Sequence, residues 1–299
     1  MVRKPVVVGY DLTESSRRAV WWAAREASSR RLPLLLAHVL TWPLEEHVRV
    51  VVEGDEHVRI VVPGEGPPLQ DVLRRELGAL VEGCQQIAPE LEVRDEMKYG
   101  DPAEDLAELA EDAELLVLGG PRIEVELGAL GSTSAELLTR RTGAPVVVVR
   151  GVREEPNSGA VVVGVDGSAH SREAIAFAYD FAARHGEELV AVHAWSDLPL
   201  DPFTWIEHWE LPWGEVREEA MEVLASCLAG WSEHYPDVKV RRVVSPEKPA
   251  DALLREAQDA ALVVVGSHGR GPVRRALLGS VSHAVVNRAQ CPAAVLRAV

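Results

Sequence analysis

The sequence predicts an α/β protein made of two tandem domains, each a doubly wound parallel sheet with helices on both faces. Three observations lead to this fold class: the length, an internal duplication, and a regular alternation of short apolar strands with helical segments. The chain has 299 residues, which is enough for about two domains of ordinary size. Hydrophobic residues make up 47% of it and charged residues 26%, a composition typical of soluble globular proteins.

The duplication appears as matched segments that occur in the same order in both halves. VVVGYDLTESS, which starts at Val6, recurs as VVVGVDGSAHS, which starts at Val161. LLAHVL around His38 recurs as VAVHAW around His193, again at an offset of 155 residues. Ordered matches of this kind indicate two copies of one supersecondary unit.

A further match sets the limits of the two copies. Residues 102–119 match residues 249–266 at nine of eighteen positions, at an offset of 147, so the first copy is longer in its middle. The segment 151–158, GVREEPNS, is polar and contains proline, which is typical of a linker. We therefore predict one domain over residues 1–150 and a second over residues 159–299.

The first elements of each copy are justified by residue type and spacing. The β-branched runs Val6–Gly9 and Val161–Gly164 end in glycine, as buried parallel strands do. Apolar residues spaced by three or four then predict helices over Ser15–Ser29 and Ser171–Arg184. Ser168 is a suitable N-cap for the second of these helices.

The later elements continue the alternation. Apolar and β-rich runs predict strands, amphipathic stretches predict helices, and a proline suits the first turn of a short helix. The strands are Leu34–Leu40, Leu91–Met97 and Leu115–Gly119 in the first copy, and Leu189–Trp195, Val238–Val244 and Leu262–Gly266 in the second; the helices are Leu69–Ile87, Glu215–Glu233 and short ones beside Pro102 and Pro249. Each copy ends with a helix and a last strand. Alternation of this kind produces a parallel sheet with right-handed crossovers.

Two insertions break the symmetry between the copies. Val48–Val62 has two β-rich runs around Glu53-Gly54-Asp55 and predicts a hairpin. Trp195–Trp213 holds four of the eight tryptophans. That segment is either a cover for the core, a subunit contact, or a flap over a bound base, because aromatic rings offer stacking faces.

Charge and cysteine content exclude several classes of function. The formal net charge is −16, so we expect no binding to nucleic acid or to an anionic membrane, since both need a basic face. The three cysteines stand far apart without a CxxC spacing, which argues against a disulfide framework and against a zinc site. The N-terminal run lacks a signal-peptide core, and no run approaches the ~18 apolar residues of a membrane helix. We expect a cytoplasmic protein.

The segment after the fourth strand of the second copy has the pattern of an anion site. A buried strand ends at Gly266, Gly269 follows, and Gly279-Ser280 opens a helix. Glycines let the main chain approach an anion closely, and a helix start offers free N–H groups. Ser280 and Ser282 add hydroxyl donors. The alternative is a simple glycine turn, and the pattern is neither a Walker loop nor a Rossmann fingerprint.

Three arginines and one carboxylate complete the predicted site. Arg270, Arg274 and Arg275 give residues 267–278 a formal charge of +3 within an acidic protein. Asp166 follows the first strand at the same edge of the sheet, where a carboxylate can accept hydrogen bonds from ribose hydroxyls or can simply shape the turn. Ala194 ends the second strand, and its main-chain groups are placed to read an adenine edge.

These motifs resemble the universal stress protein family. The resemblance rests on VVVGVDGSAHS, on VAVHA and on the spacing G-x2-G-x9-G-[ST], and it covers essentially the whole chain as two tandem copies. It implies Rossmann-like domains with five parallel strands in the order 3-2-1-4-5, bound ATP with or without Mg²⁺, and a role in the stress response. The ATP-binding residues that it and the loop pattern nominate are Gly164, Asp166, Ala194, Val265, Gly266, Ser267, Gly269, Arg270, Gly279, Ser280, Val281 and Ser282.

The first copy departs from the family pattern. Arg122 stands where the second glycine should be, and Glu124 and Glu126 replace arginines, so residues 120–130 carry a charge of −1. At ~4 Å and an effective dielectric constant of ~20, a carboxylate facing a phosphate costs up to ~4 kcal/mol. We therefore predict ATP in the second copy and weak or absent ATP in the first. The remaining candidates for a weaker first site are Gly9, Asp11, Val39, Gly119, Gly131 and Ser132.

Catalysis finds little support in the sequence. There is no G-x-S-x-G elbow, no group with metal-ligand spacing, and His38 and His193 are better interpreted as packed, hydrogen-bonded strand residues. We therefore predict an ATP-binding regulatory module that is not an enzyme, acting as a homodimer of tandem chains. The alternatives are a slow ATPase or self-phosphorylating protein, and a scaffold that binds no nucleotide.

Overall fold

The chain folds into two compact units, and of the residues described here, those up to Val149 form the first and those from Arg150 form the second. The computed structural model describes residues 3–40, 49–52, 58–61, 69–120, 132–140, 142–150, 159–194, 213–269 and 278–298. The predicted linker 151–158 and most of the tryptophan-rich insertion lie outside this set.

The first unit alternates strands and helices as predicted. Its elements are β1 (Val6–Gly9), α1 (Glu14–Arg30), β2 (Leu34–Leu40), β3 (Arg49–Val52), β4 (Val58–Val61), α2 (Leu69–Ile87), β5 (Val93–Tyr99), α3 (Pro102–Glu111), β6 (Leu115–Gly119), α4 (Ser132–Thr139) and β7 (Val146–Val149). Five of these strands are parallel neighbours in the order β5-β2-β1-β6-β7. Strands β3 and β4 form a separate antiparallel pair, which confirms the predicted hairpin.

The second unit repeats the arrangement without the hairpin in its described residues. Its elements are β8 (Val161–Gly164), α5 (Ala169–His185), β9 (Leu189–Ala194), α6 (Trp213–Cys227), α7 (Trp231–His234), β10 (Val240–Ser245), α8 (Pro249–Glu256), β11 (Leu262–Gly266), α9 (Ser280–Arg288) and β12 (Ala293–Leu296). The strands are parallel, in the order β10-β9-β8-β11-β12.

The core lies where the central strands meet the helices. Strand β1 is buried at every position, and β6, β8 and β11 are buried at every position but the last, because helices cover both faces of a parallel sheet. The helices add large apolar side chains such as Trp22 and Phe181, both fully buried. Each fully buried side chain of this kind stabilises the fold by about 1.5–3 kcal/mol.

Three predicted elements differ most from the structure. The strands predicted over Leu91–Met97 and Val238–Val244 begin two residues later, at Val93 and Val240, because their start is set by pairing with the neighbouring strand. The helix predicted over Glu215–Glu233 is interrupted. It ends at Cys227, and a short helix follows Gly230, whose φ of 81° is outside the helical range.

Candidate functional site

The candidate site lies where strand order reverses in the second unit. Strand β8 lies in the middle of this sheet. The chain places β9 and β10 on one side of it and then crosses over to place β11 and β12 on the other side. The loops that follow β8 and β11 therefore leave the sheet beside each other, at its carboxyl edge. This is the position at which open α/β sheets bind their ligands.

Asp166 is held in place by its own turn. Its N–H donates to the Ser171 hydroxyl at 3.2 Å, and its Oδ1 accepts from the Ser168 N–H at 2.9 Å. Ser168 is the N-cap of α5, as predicted, and accepts from the Ser171 N–H at 3.1 Å. One carboxylate oxygen is thus engaged within the turn, and Oδ2 is turned toward the next loop.

Gly269 lies against this second oxygen. A Cβ built at Gly269 would stand 2.7 Å from Oδ2 of Asp166, which is closer than real Cβ atoms approach other atoms. The main chain after β11 and the carboxylate after β8 therefore meet at a position where a side chain on residue 269 would displace the carboxylate. The predicted ribose acceptor and the predicted phosphate loop are brought together at this point.

Gly266 is required for a different contact. A Cβ there would lie 2.8 Å from the Cβ of His170 and 2.9 Å from its carbonyl carbon. The first turn of α5 therefore packs directly on the end of β11. His170 enters the site in this way, although the sequence reasoning did not select it. The signal that could have identified His170 is its position in the first turn of α5, the helix that follows β8.

The two ends of the predicted phosphate loop are tied to each other. The Gly279 N–H donates to the Ser267 carbonyl at 2.8 Å, and the Ser267 N–H donates to the Leu296 carbonyl at 2.7 Å. The Ser282 hydroxyl lies 3.1 Å from the Ser267 carbonyl and 3.0 Å from that of Gly279. Ser282 was expected to donate to a phosphate, but its side chain is 1% exposed and its hydroxyl is engaged in closing the loop.

The start of α9 differs from the starts of α1 and α5 in its capping. Helices α1 and α5 are each capped by a side chain, that of Thr13 and that of Ser168. Helix α9 has Gly279 as its N-cap, and within the described residues no side chain caps it. Among the described residues, no side chain offsets the positive end of this helix in the way that Thr13 and Ser168 offset those of α1 and α5. Ser280 is exposed there, and Val281 is half-buried.

A pair of histidines borders the loop. The rings of His170 and His268 have centroids 5.6 Å apart, and the Ser267 hydroxyl lies 3.2 Å from Nδ1 of His268. Burial lowers the pKa of His170, and the neighbouring His268 and Arg297 lower it further, whereas Asp166 acts to raise it. His170 therefore favours the neutral form in the protein without a ligand.

His193 lies beneath the site and is a strand residue. Its Nδ1 is 2.6 Å from the Val165 carbonyl, and His38 makes the same 2.6 Å contact with the Tyr10 carbonyl in the first unit. Both histidines are buried. The prediction that they are packed and hydrogen-bonded is confirmed.

Some of the other predicted site residues lie within the described residues, and some lie outside them. Gly164 and Ala194 end β8 and β9 at the carboxyl edge of the second unit, and Val265 is the penultimate residue of β11 at the same edge. Arg270, with Arg274 and Arg275, lies outside the described residues. In the described part of the chain, no three or more His, Cys, Asp or Glu side chains are grouped so that they could hold a metal ion.

The first unit has a related but different edge. Oδ1 of Asp11 accepts from both the N–H and the hydroxyl of Thr13, at 3.1 and 2.5 Å. Gly119 is packed as Gly266 is, since a Cβ there would lie 2.6 Å from the Ser15 carbonyl carbon. Gly9 and Val39 lie at the same edge, and Ser132 begins α4. Gly131, together with Arg122, Glu124 and Glu126, lies outside the described residues.

The comparison with known proteins decides the family. A family model described as "Universal stress protein family" matches residues 3–150 and, a second time, residues 158–297. The chain belongs to the universal stress protein family. Its tandem organisation is therefore that of two universal stress protein repeats, as the sequence motifs indicated.

Similar proteins cover nearly the whole length. Two universal stress proteins of Mycobacterium tuberculosis are 39% and 37% identical to this chain, over 98% of the chain and 96% of each relative. The crystal structure of a universal stress protein from Archaeoglobus fulgidus has a TM-score of 0.63 at 18% identity, covering 99% of this chain and 98% of that one. This likeness shows the shared two-domain α/β fold. None of the described helices is both long enough and apolar enough to cross a membrane.

Proposed function

We propose that the second repeat of this universal stress protein binds ATP and that the protein is a nucleotide-responsive regulatory module of the stress response. The observation that carries the proposal is the contact between Asp166 and Gly269, at the switch point and beside the uncapped start of α9. A nucleotide site needs both a ribose acceptor and a glycine-lined anion loop. The alternative, a simple glycine turn, would need neither.

Each part of ATP has a proposed partner. Oδ2 of Asp166 accepts from a ribose hydroxyl, while Oδ1 stays bonded to the Ser168 N–H. The main chain of Ala194 reads the adenine edge. The triphosphate lies along Gly269 and the first turn of α9, where backbone N–H groups and the helix dipole favour an anion. Mg²⁺ would be bound chiefly by phosphate oxygens and water, as is common for this ion.

A regulatory role follows from binding without fast turnover. A ligand at 100 times its Kd stabilises the folded state by about 2.7 kcal/mol, so ATP level would change the stability of the second repeat. It would also shift any equilibrium between conformations that bind ATP unequally. Fast phosphoryl transfer needs a placed base and metal carboxylates, and in the described residues no group of three or more His, Cys, Asp or Glu side chains could hold a metal ion.

Two measurements test the proposal. Mass spectrometry of the denatured, purified protein should find adenine nucleotide carried through purification. Titration calorimetry of nucleotide-free protein should give one tight ATP site per chain, because in the first repeat Arg122 replaces the second glycine of the loop and Glu124 and Glu126 replace arginines. Two equal tight sites would contradict the asymmetry, and no binding would refute the nucleotide role. Sedimentation of the same sample tests the proposed homodimer of tandem chains.

A second candidate, slow ATP hydrolysis or self-phosphorylation, is favoured by one contact. The Ser267 hydroxyl and Nδ1 of His268 are 3.2 Å apart, which is the geometry of a nucleophile and a base. Against it, the Ser267 side chain is only 1% exposed. A single-turnover assay with γ-labelled ATP should show no label on the protein. Label that disappears in Ser267→Ala would establish this second function.

A further inference from the structure

The end of the β8–β9 ladder is completed by a side chain. The two strands pair in register up to Gly164 and Val192, and the Val165 N–H then donates to the Val192 carbonyl at 2.9 Å. The next acceptor is the Val165 carbonyl, and it is bonded by Nδ1 of His193 at 2.6 Å. The imidazole therefore continues the ladder by one hydrogen bond beyond the last backbone pair.

The direction of this hydrogen bond follows from its chemistry. A carbonyl oxygen can only accept, so Nδ1 of His193 carries the proton and donates it. His193 is 8% exposed, so water does not compete freely for the bond. The bond holds the peptide group that joins Val165 to Asp166, and its donor belongs to the residue directly before Ala194. One side chain thus connects the two strand ends that carry the proposed ribose and adenine contacts.

We propose that His193 is a positioning residue for the nucleoside of the bound nucleotide, an inference that rests on the proposed ATP site. The bond fixes the distance between the Asp166 carboxylate and the main chain of Ala194. Adenine and ribose are linked by a single glycosidic bond, which limits the distance between their contact atoms, so both contacts form at full strength only when the two strand ends are correctly spaced. The triphosphate contacts lie on another strand and helix and do not depend on His193.

The first repeat supplies a matched control. The Tyr10 N–H donates to the Ala37 carbonyl at 2.9 Å, and Nδ1 of His38 is 2.6 Å from the Tyr10 carbonyl. His38 is buried to a similar degree, at 6% exposure. Breaking the bond at His38 therefore has the same structural cost in a repeat that we propose not to bind ATP tightly.

The test compares His193→Leu with His38→Leu in the full chain. Affinities are measured by calorimetry and by competition for ATP, adenosine and inorganic tripolyphosphate. We expect His193→Leu to bind ATP and adenosine about ten-fold more weakly, the size of one well-placed hydrogen bond, with tripolyphosphate unchanged. His38→Leu should bind all three as the wild type does, although both variants lose similar thermal stability. His193→Asn, which keeps a donor near the Nδ1 position, should restore most of the ATP affinity.

The outcomes separate this inference from the proposed function. If the wild type binds no ATP, the proposed function fails and the inference fails with it. Suppose instead that the wild type binds ATP. If His193→Leu then binds ATP equally well, or if its affinity for tripolyphosphate falls as much as its affinity for ATP, the positioning role alone is overturned. Should His193→Leu not fold, His193→Asn and His193→Gln decide the question, because glutamine moves the donor outward. Equal ATP affinity of those two variants overturns the inference.

Discussion

Replacing Gly269 is the most direct perturbation of the candidate site. A Cβ at this position would be 2.7 Å from Oδ2 of Asp166, well inside ordinary van der Waals contact. Any side chain at residue 269 must therefore push the carboxylate away by several tenths of an ångström or more. Because Oδ1 is bonded to the Ser168 N–H, the carboxylate cannot move without weakening that bond or losing its aim at the ribose.

The expected magnitude depends on the side chain. Gly269→Ala displaces the carboxylate and should cost one charge-assisted hydrogen bond, about 1.5–3 kcal/mol, which is roughly a 10- to 100-fold weaker Kd. Gly269→Glu adds a negative charge beside the triphosphate. At ~4 Å and an effective dielectric constant of ~20, this repulsion approaches ~4 kcal/mol before screening. ATP binding by Gly269→Glu should therefore fall below detection.

Titration calorimetry with ATP measures both effects, and thermal unfolding without nucleotide checks the fold. Gly269 is exposed, so neither variant should change the unfolding midpoint by more than a few degrees. The matched control is Gly78→Glu on α2, since a Cβ at Gly78 would have no atom within 4 Å. It adds the same charge to the first unit and should leave the Kd unchanged. Wild-type affinity in Gly269→Glu would refute the assignment of the loop.

Two further predictions concern stability. Gly78→Ala should raise the free energy of unfolding by about 0.5–1 kcal/mol, because exposed glycine in a helix is unfavourable. Gly83→Ala in the same helix should lower the free energy of unfolding, since the new Cβ would be 2.5 Å from the Trp21 ring. Equal shifts of the urea unfolding midpoint in the two variants would contradict this packing. Burial lowers the pKa of both His38 and His170, so the unfolded state binds protons more readily below about pH 6.5. Stability should therefore fall on acidification, and a urea midpoint that rises from pH 7 to 5 would contradict these assignments.

Local sequence determined the elements at the centre of each repeat. Val161–Gly164 and Leu262–Gly266 were predicted with the bounds that the structure has, because continuous β-branched and leucine runs have few alternatives to a buried strand. The Ser168 cap was predicted for a similar reason, since its hydrogen bond spans only three residues. The family motifs also follow from the chain alone, as does the difference between the two phosphate loops.

The tertiary structure alone decided the contacts between distant segments. The Ser282 hydroxyl bonds the Ser267 carbonyl, fifteen residues away, so no local rule could show that it closes the loop. His170 reaches the end of β11 only because α5 packs on that strand. The start of the edge strand β5, which alternates polar and apolar residues weakly, was set by its register against β2 rather than by its own composition. Periodicity and capping act over a few residues, whereas a binding site is formed by segments that meet only after folding.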